Sequence, residues 1–238
     1  MAAQGDQRPV TALIGAGPEL GAALAGRFSD GGHHLALVAR DGARLENMAH
    51  RFEPARAFAA DITDAGAVPN LFNRIAADLG PVTTLIYSTG RMLRGDVLGV
   101  APEEFEGAWR LAAQGLFLAA RAVLPSMLEA GHGTIIVIGA TASLRGGAQA
   151  AAFAPAKAAQ RSLTQSMARA YGPGGIHVAH VVIDAVVDGA QARASMPNRS
   201  PEGFASPEAV AESVWHLSQQ DPRGWSFELD LRPACESW

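Results

Sequence analysis

Short apolar runs alternate with longer segments of helical period along almost the whole chain, and no other feature narrows the fold as much. The strand candidates are residues 10–14, 35–39, 57–60, 82–87, 134–138 and 176–183. In a seventh, Trp225, Phe227, Leu229 and Leu231 alternate with Ser226, Glu228 and Asp230, so one face is wet. Between the strands, Leu20, Leu24 and Phe28 fall four apart. Leu45, Met48 and Phe52 mark a second helix, and Val68, Leu71, Ile75 and Leu79 a third. Such spacing lines one helix stripe with apolar groups. Pro102 opens a long helix carrying Phe105, Trp109, Leu116, Val123 and Met127, and residues 151–171 form another. Ser206-Pro207-Glu208 is a helix start, with a hydroxyl cap, a proline in the first turn and an acid at the positive dipole end. This alternation predicts a parallel sheet with helices on both faces. Ligands of such sheets bind outside the carboxyl ends of the strands. The irregular stretch 184–205, after the sixth strand, is therefore a candidate substrate lid, with Met196, Pro197 and Phe204 as an apolar pocket wall.

The totals restrict what else such a chain can be. With 238 residues, 48% hydrophobic and 18% charged, it can bury a substantial core. One domain is expected over residues 9–238, after a flexible arm at 1–8. The net charge of -4 and the lack of a basic run point away from nucleic acid and anionic membrane surfaces. No run of about 18 apolar residues predicts a membrane span. The polar start shows no signal peptide, so a cytoplasmic location is the default. Cys235 is alone and forms no intrachain disulfide. No His, Cys, Asp or Glu cluster has metal-ligand spacing, and no metal is expected. His177 and His180 fall on opposite faces of their strand and read as structural.

Gly15-Ala-Gly17-Pro-Glu-Leu-Gly21 follows the first strand and opens the first helix. Glycines there make a tight turn, let backbone amides approach a pyrophosphate, and let helix and strand pack closely. The helix start adds partial positive charge. These residues resemble the glycine motif of the short-chain dehydrogenase/reductase family, and the likeness runs from Val10 to about Leu231. It implies a doubly wound Rossmann fold with a mostly parallel, seven-stranded sheet. Gly15 and Gly21 match the motif's first and last glycines, while Ile14 replaces its threonine and Glu19 its middle glycine. A carboxylate about 6 Å from a phosphate costs roughly 2–3 kcal/mol at an effective dielectric near 20. Glu19 either meets that cost or turns to solvent.

The second strand ends in Arg40, with no acid in that position to bind a ribose 2′-hydroxyl. An arginine there suits a 2′-phosphate, so Arg40, helped by Arg44, predicts NADP over NAD. Asp61 and Ile62 resemble the family's adenine-contacting Asp-Val pair. Gly90 is the residue that Tyr87-Ser-Thr-Gly90 keeps of the family's Asn-Asn-Ala-Gly.

Members of the family use Asn, Ser, Tyr and Lys. Here the Tyr-x-x-x-Lys pair reads Phe153-Ala-Pro-Ala-Lys157, the serine position is Ala140 and the asparagine position Ala112. Lys157 alone remains, expected to bind the cofactor ribose. Phenylalanine transfers no proton, and loss of a positioned general acid costs about 10²–10⁴ in rate. Thr141 and Ser143 are candidate substitutes, as hydroxyls near the vacant serine position. Asp184 and Asp188 either face the nicotinamide end or cap and solvate locally.

Three functions follow. One is an NADP-dependent oxidoreductase with a rearranged centre acting on an unidentified small molecule. The second is a non-catalytic NADP-binding regulatory or partner protein. The third is a lyase or isomerase on the same scaffold, using Lys157 or Asp184. The resemblance also implies a homodimer or homotetramer through the helices at 102–130 and 151–172, whose many alanines permit close approach.

Overall fold

The computed structural model describes residues 8–90 and 92–236. The expected amino-terminal arm lies outside them except for Arg8. Seven strands form one sheet: β1 (Val10–Ile14), β2 (His34–Ala39), β3 (Ala55–Ala59), β4 (Val82–Tyr87), β5 (Gly133–Ile138), β6 (Ile176–Ile183) and β7 (Glu228–Leu231). Their order is β3-β2-β1-β4-β5-β6-β7, and every pairing is parallel. The sheet is thus fully parallel, where the resemblance implied a mostly parallel one. Eight helices accompany it: α1 (Leu20–Asp30), α2 (Gly42–Ala49), α3 (Val68–Leu79), α4 (Pro102–Trp109), α5 (Gly115–Ala130), α6 (Phe153–Tyr171), α7 (Ala190–Ser195) and α8 (Pro207–Ser218).

The central strands are buried on both faces, which is why they read as continuous apolar runs, while β3 and β7 at the edges are partly exposed. In β1 every residue is buried. Ala12 and Ile14 join a core under α3 and α5 with Leu85, Leu116 and Val123. Leu13 joins the other core, under α1, α2 and α8, with Leu24, Phe28, Leu45 and Val214. Strand order reverses between β1 and β4, and a crevice opens at such a switch point.

Several expectations are corrected. The third strand is displaced towards the amino end, because it pairs from Leu35↔Ala55 to Ala39↔Ala59. The last strand keeps only Glu228–Leu231; Trp225 precedes it and stacks on His177 at 4.8 Å. The long helix is not continuous but passes through a π-turn at Arg110–Gln114. The segment Pro102–Ala130 also reaches a mean hydropathy of 1.4, enough by length and composition for a membrane span. Half of that stretch is buried, with Leu116, Ala119 and Met127 in the core, as in the core helix of a globular domain. Met196 and Pro197 do not line the cavity beside the lid, and Phe204 is buried beneath Arg199. Ser206 caps α8 as expected, accepting from the Ala209 amide.

Buried histidines couple this packing to pH, His33 and His180 more strongly than His177. His33 sits edge-on to Phe28 and Trp215 and pairs with the Thr11 hydroxyl at 2.8 Å. His180 lies over Gly139, where a Cβ would meet its ring at 2.2 Å. Burial lowers both from 6.5 to about 4, with the Lys157 charge adding to the effect on His180. The unfolded chain therefore binds more protons between these values, and stability falls as pH drops from 6.5 towards 4. Each histidine should cost about 2 kcal/mol at pH 5 relative to pH 7. Urea midpoints at the two pH values check this, and His33→Phe should remove its share of the difference.

Candidate active site

The carboxyl ends of β1, β2 and β4 enclose a cavity of about 340 Å³. Gly15, Gly17, Arg40, Asp61, Ile62 and Gly90 all line it. Gly15 has a φ of +85°, and a Cβ there would meet the Ser88 carbonyl oxygen at 2.4 Å. Only glycine lets the ends of β1 and β4 approach this closely. A Cβ on Gly21 would meet Ala16 at 2.8 Å, so Gly21 packs the start of α1 under the turn. A Cβ on Gly17 would find nothing nearer than 3.9 Å, which leaves open space for a ligand.

The charged rim is arranged for anions. Among the described residues, the Arg40 and Arg44 guanidinium groups have no ion-pair partner. Asp41, directly after Arg40, caps α2 by accepting from the Arg44 amide. The Thr63 amide and hydroxyl hold the Asp61 carboxyl below the usual carboxylate range. The tight turn, the open floor at Gly17 and the arginines at the rim fit a nicotinamide dinucleotide. Glu19 leans on the lid, since a Cβ on Gly189 would meet its Cγ at 2.5 Å.

The wall opposite is formed by the π-turn. Its Leu111 carbonyl accepts from the Tyr87 hydroxyl at 2.5 Å and from Thr89 at 3.2 Å. Gly115 admits that phenol, because a Cβ there would meet it at 2.3 Å. Burial pushes the Tyr87 phenol up, out of the range of proton transfer near neutral pH. π-Turns of this kind recur at functional sites, and this one carries Leu111 into the cavity.

Lys157 lies under Gly90, lines neither this cavity nor the next, and is 4% exposed. Its ammonium donates to the Thr89 carbonyl at 2.9 Å, the Ile138 carbonyl at 3.0 Å and Gln160 Oε1 at 2.9 Å. Three donors meet three acceptors. A ribose hydroxyl would have to replace one of these oxygens. Burial lowers the Lys157 pKa to about 7. Gln160 Nε2 in turn donates to the Ala112 carbonyl at 3.2 Å. Gln160 was not singled out from the sequence. Its only signal is its place three residues after Lys157, on the same helix face.

A second cavity, of about 420 Å³, adjoins the ends of β5 and β6. Phe153, Ala140, Thr141 and Asp184 line it. Ala112 and Ser143 do not: Ala112 is buried in the π-turn, and Ser143 is buried 3.3 Å from His180 Nε2. Thr141 donates a short hydrogen bond to Asp184, which also pairs with Arg232 at 3.3 Å. Asp188 instead pairs with Arg193 outside the cavity. No cluster of metal-ligating side chains occurs among the described residues.

Residues 9–197 match the short chain dehydrogenase family. The chain belongs to that family. A solved short-chain dehydrogenase from Rhodopseudomonas palustris is 33% identical, with 94% of this chain and 98% of that one covered and a TM-score of 0.82. A 2,3-dihydro-2,3-dihydroxybenzoate dehydrogenase of Bacillus subtilis is 28% identical over 70% of this chain and 66% of its own. The inactive 2-(S)-hydroxypropyl-CoM dehydrogenase 2 of Xanthobacter autotrophicus is 36% identical over 62% and 64%. The chain thus spans just under two thirds of these two curated relatives. As a short-chain dehydrogenase it has the parallel sheet and the glycine-lined cavity at the ends of β1, β2 and β4.

The Lys157 contacts make a stability prediction. Lys157→Met orphans three buried oxygens and should cost about 3 kcal/mol in urea denaturation. Adding Gln160→Leu removes the orphaned Gln160 Oε1 but takes the donor from the Ala112 carbonyl, so the double variant should recover none of that loss.

Proposed function

We propose that this short-chain dehydrogenase is an NADP-dependent oxidoreductase with a rearranged centre acting on a small alcohol or carbonyl compound. The observation that carries the cofactor is the pair of guanidinium groups, Arg40 and Arg44, that line the glycine cradle without an ion-pair partner among the described residues, although the Arg40 charge also lowers the Asp61 carboxyl pKa. NADP supplies hydride chemistry when bound. Gly15 and Gly17 would seat its pyrophosphate, Arg40 and Arg44 its 2′-phosphate, and Asp61 and Ile62 its adenine. Lys157 holds Thr89 and Gly90 in place beneath it.

Thr141 supports the reaction half of the reading. It lines the second cavity beside Ala140 and Phe153. With its hydroxyl hydrogen bonded to Asp184, its oxygen presents lone pairs to a substrate. Such an oxygen accepts from a hydroxyl, which suits the alcohol side of an alcohol–carbonyl pair. Asp184, tied to Arg232, would take the proton passed through Thr141.

A second reading is a non-catalytic NADP-binding protein. It is favoured by Phe153, which transfers no proton, and by likeness to a relative named as inactive. Calorimetry with NADPH and NADH comes first. NADPH should bind more tightly, and Arg40→Ser should weaken NADPH by about ten-fold while leaving NADH nearly unchanged. Alcohol oxidation with NADP⁺ then separates the readings: the first expects turnover that Thr141→Val abolishes, the second expects none.

Assembly and location belong to the same proposal. The exposed Phe105, Trp109, Phe117 and Leu128 lie on α4 and α5, beside a groove lined by Phe117, Leu124, Leu163 and Met167. A second copy pairing α5 and α6 across this groove would cover them, in a cytoplasmic dimer or tetramer. Light scattering should give a multiple of 24.7 kDa, and Phe117→Glu should shift it to the monomer.

A further inference from the structure

The cavity beside Phe153 carries an unusual balance of charge for an enclosure with apolar walls. Its charged members are Arg94, Arg145, Arg199, Asp184 and Glu236. Both carboxylates are already engaged. Asp184 accepts from Thr141 and pairs with Arg232, and Glu236 pairs with Arg199 at 2.6 Å. Arg199 is also fixed, donating to the Gly203 carbonyl at 2.7 Å and lying over the Phe204 ring. Arg94 and Arg145 have no such partner among the described residues. Two guanidinium groups are therefore left unneutralised at the mouth of this cavity.

We infer that this cavity selects a small organic anion, and that Arg94 and Arg145 read its charge. The inference rests on the reading of this cavity as the substrate end of the site. Leu93, Ala140, Phe153 and Ile183 supply low-dielectric walls, and a cleft of one sign between such walls concentrates ions of the other. Guanidinium forks match carboxylate, sulfonate and phosphate oxygens with two parallel hydrogen bonds. Glu236 on Arg199 shows the same wall already holding a carboxylate supplied by the chain itself. Thr141 lies in the same cavity, so the ligand carries its alcohol or carbonyl at one end and its anionic group at the other. The substrate class is hydroxy or oxo acids, sulfonates or phosphate esters of a size to enter about 420 Å³.

The test is calorimetry on the full chain, free and saturated with NADP⁺, using benzoate, benzenesulfonate, phenyl phosphate and neutral benzamide as probes. At least one anion should bind about ten-fold or more tightly than benzamide, and the ranking of the three names the head group. Arg94→Gln/Arg145→Gln should erase that difference and leave NADPH affinity unchanged. Arg94→Glu/Arg145→Glu should instead bind benzylammonium better than benzoate. Equal binding of benzoate, its congeners and benzamide overturns the inference, as does a preference that survives the double glutamine variant. So does failure of every anion to bind. Failure of NADP⁺ binding alone overturns the cofactor reading and leaves the anion result on the free chain standing.

Discussion

A buried ammonium group demands acceptors for all its protons, and much of this site follows from how Lys157 finds them. The ends of β4 and β5 each give a carbonyl, and α6 gives the Gln160 amide. That amide continues to Ala112 in the π-turn. The π-turn is held from its other side by Tyr87 and Thr89 on the Leu111 carbonyl. Two strand ends, one helix and the cavity wall are thus fastened through one charged group. A polar cluster of this kind is stable only when every member is satisfied. It therefore fixes the position of Gly90 more sharply than apolar packing alone would.

The two cavities are built from different elements. The first draws on β1, β2 and β4 and on main-chain geometry at Gly15 and Gly17. The second draws on β5, β6 and the lid, and its chemistry resides in side chains such as Thr141, Phe153 and Asp184. Side chains can change there without moving the glycines.

Much of this was legible in the sequence because it depends on local pattern. Alternating periods give parallel strands, and glycines after the first strand give the cradle. Ser206 and Pro207 mark the start of α8. What was not legible depends on contacts between distant segments. The π-turn carries no signal of its own in 110–114; it exists because Tyr87, Thr89 and Gln160 take up the carbonyls it frees. Gln160 reads as an ordinary helix residue until Ala112, 48 positions away, is placed beside it. Likewise, the engagement of Asp184 and Glu236, and so the isolation of Arg94 and Arg145, is visible only once the lid and tail are folded back. The third strand slipped because Ala-rich segments give no clear period, and pairing with β2 set its register.

The position of β1 has a consequence for how the chain acquires its shape during synthesis. β1 precedes the other six strands of the sheet in the chain and is central, yet one of its neighbours, β4, begins at Val82. Until some seventy residues more have left the ribosome, one edge of a buried, mostly apolar strand has nothing to pair with. Parallel neighbours reached only by crossovers form late, since long loops must close before their contacts repay the lost chain entropy. The nascent chain must therefore carry β1, β2 and β3 as an incomplete half-sheet with an open edge. It is in this interval, rather than in the finished protein, that a chaperone or rapid translation would matter most.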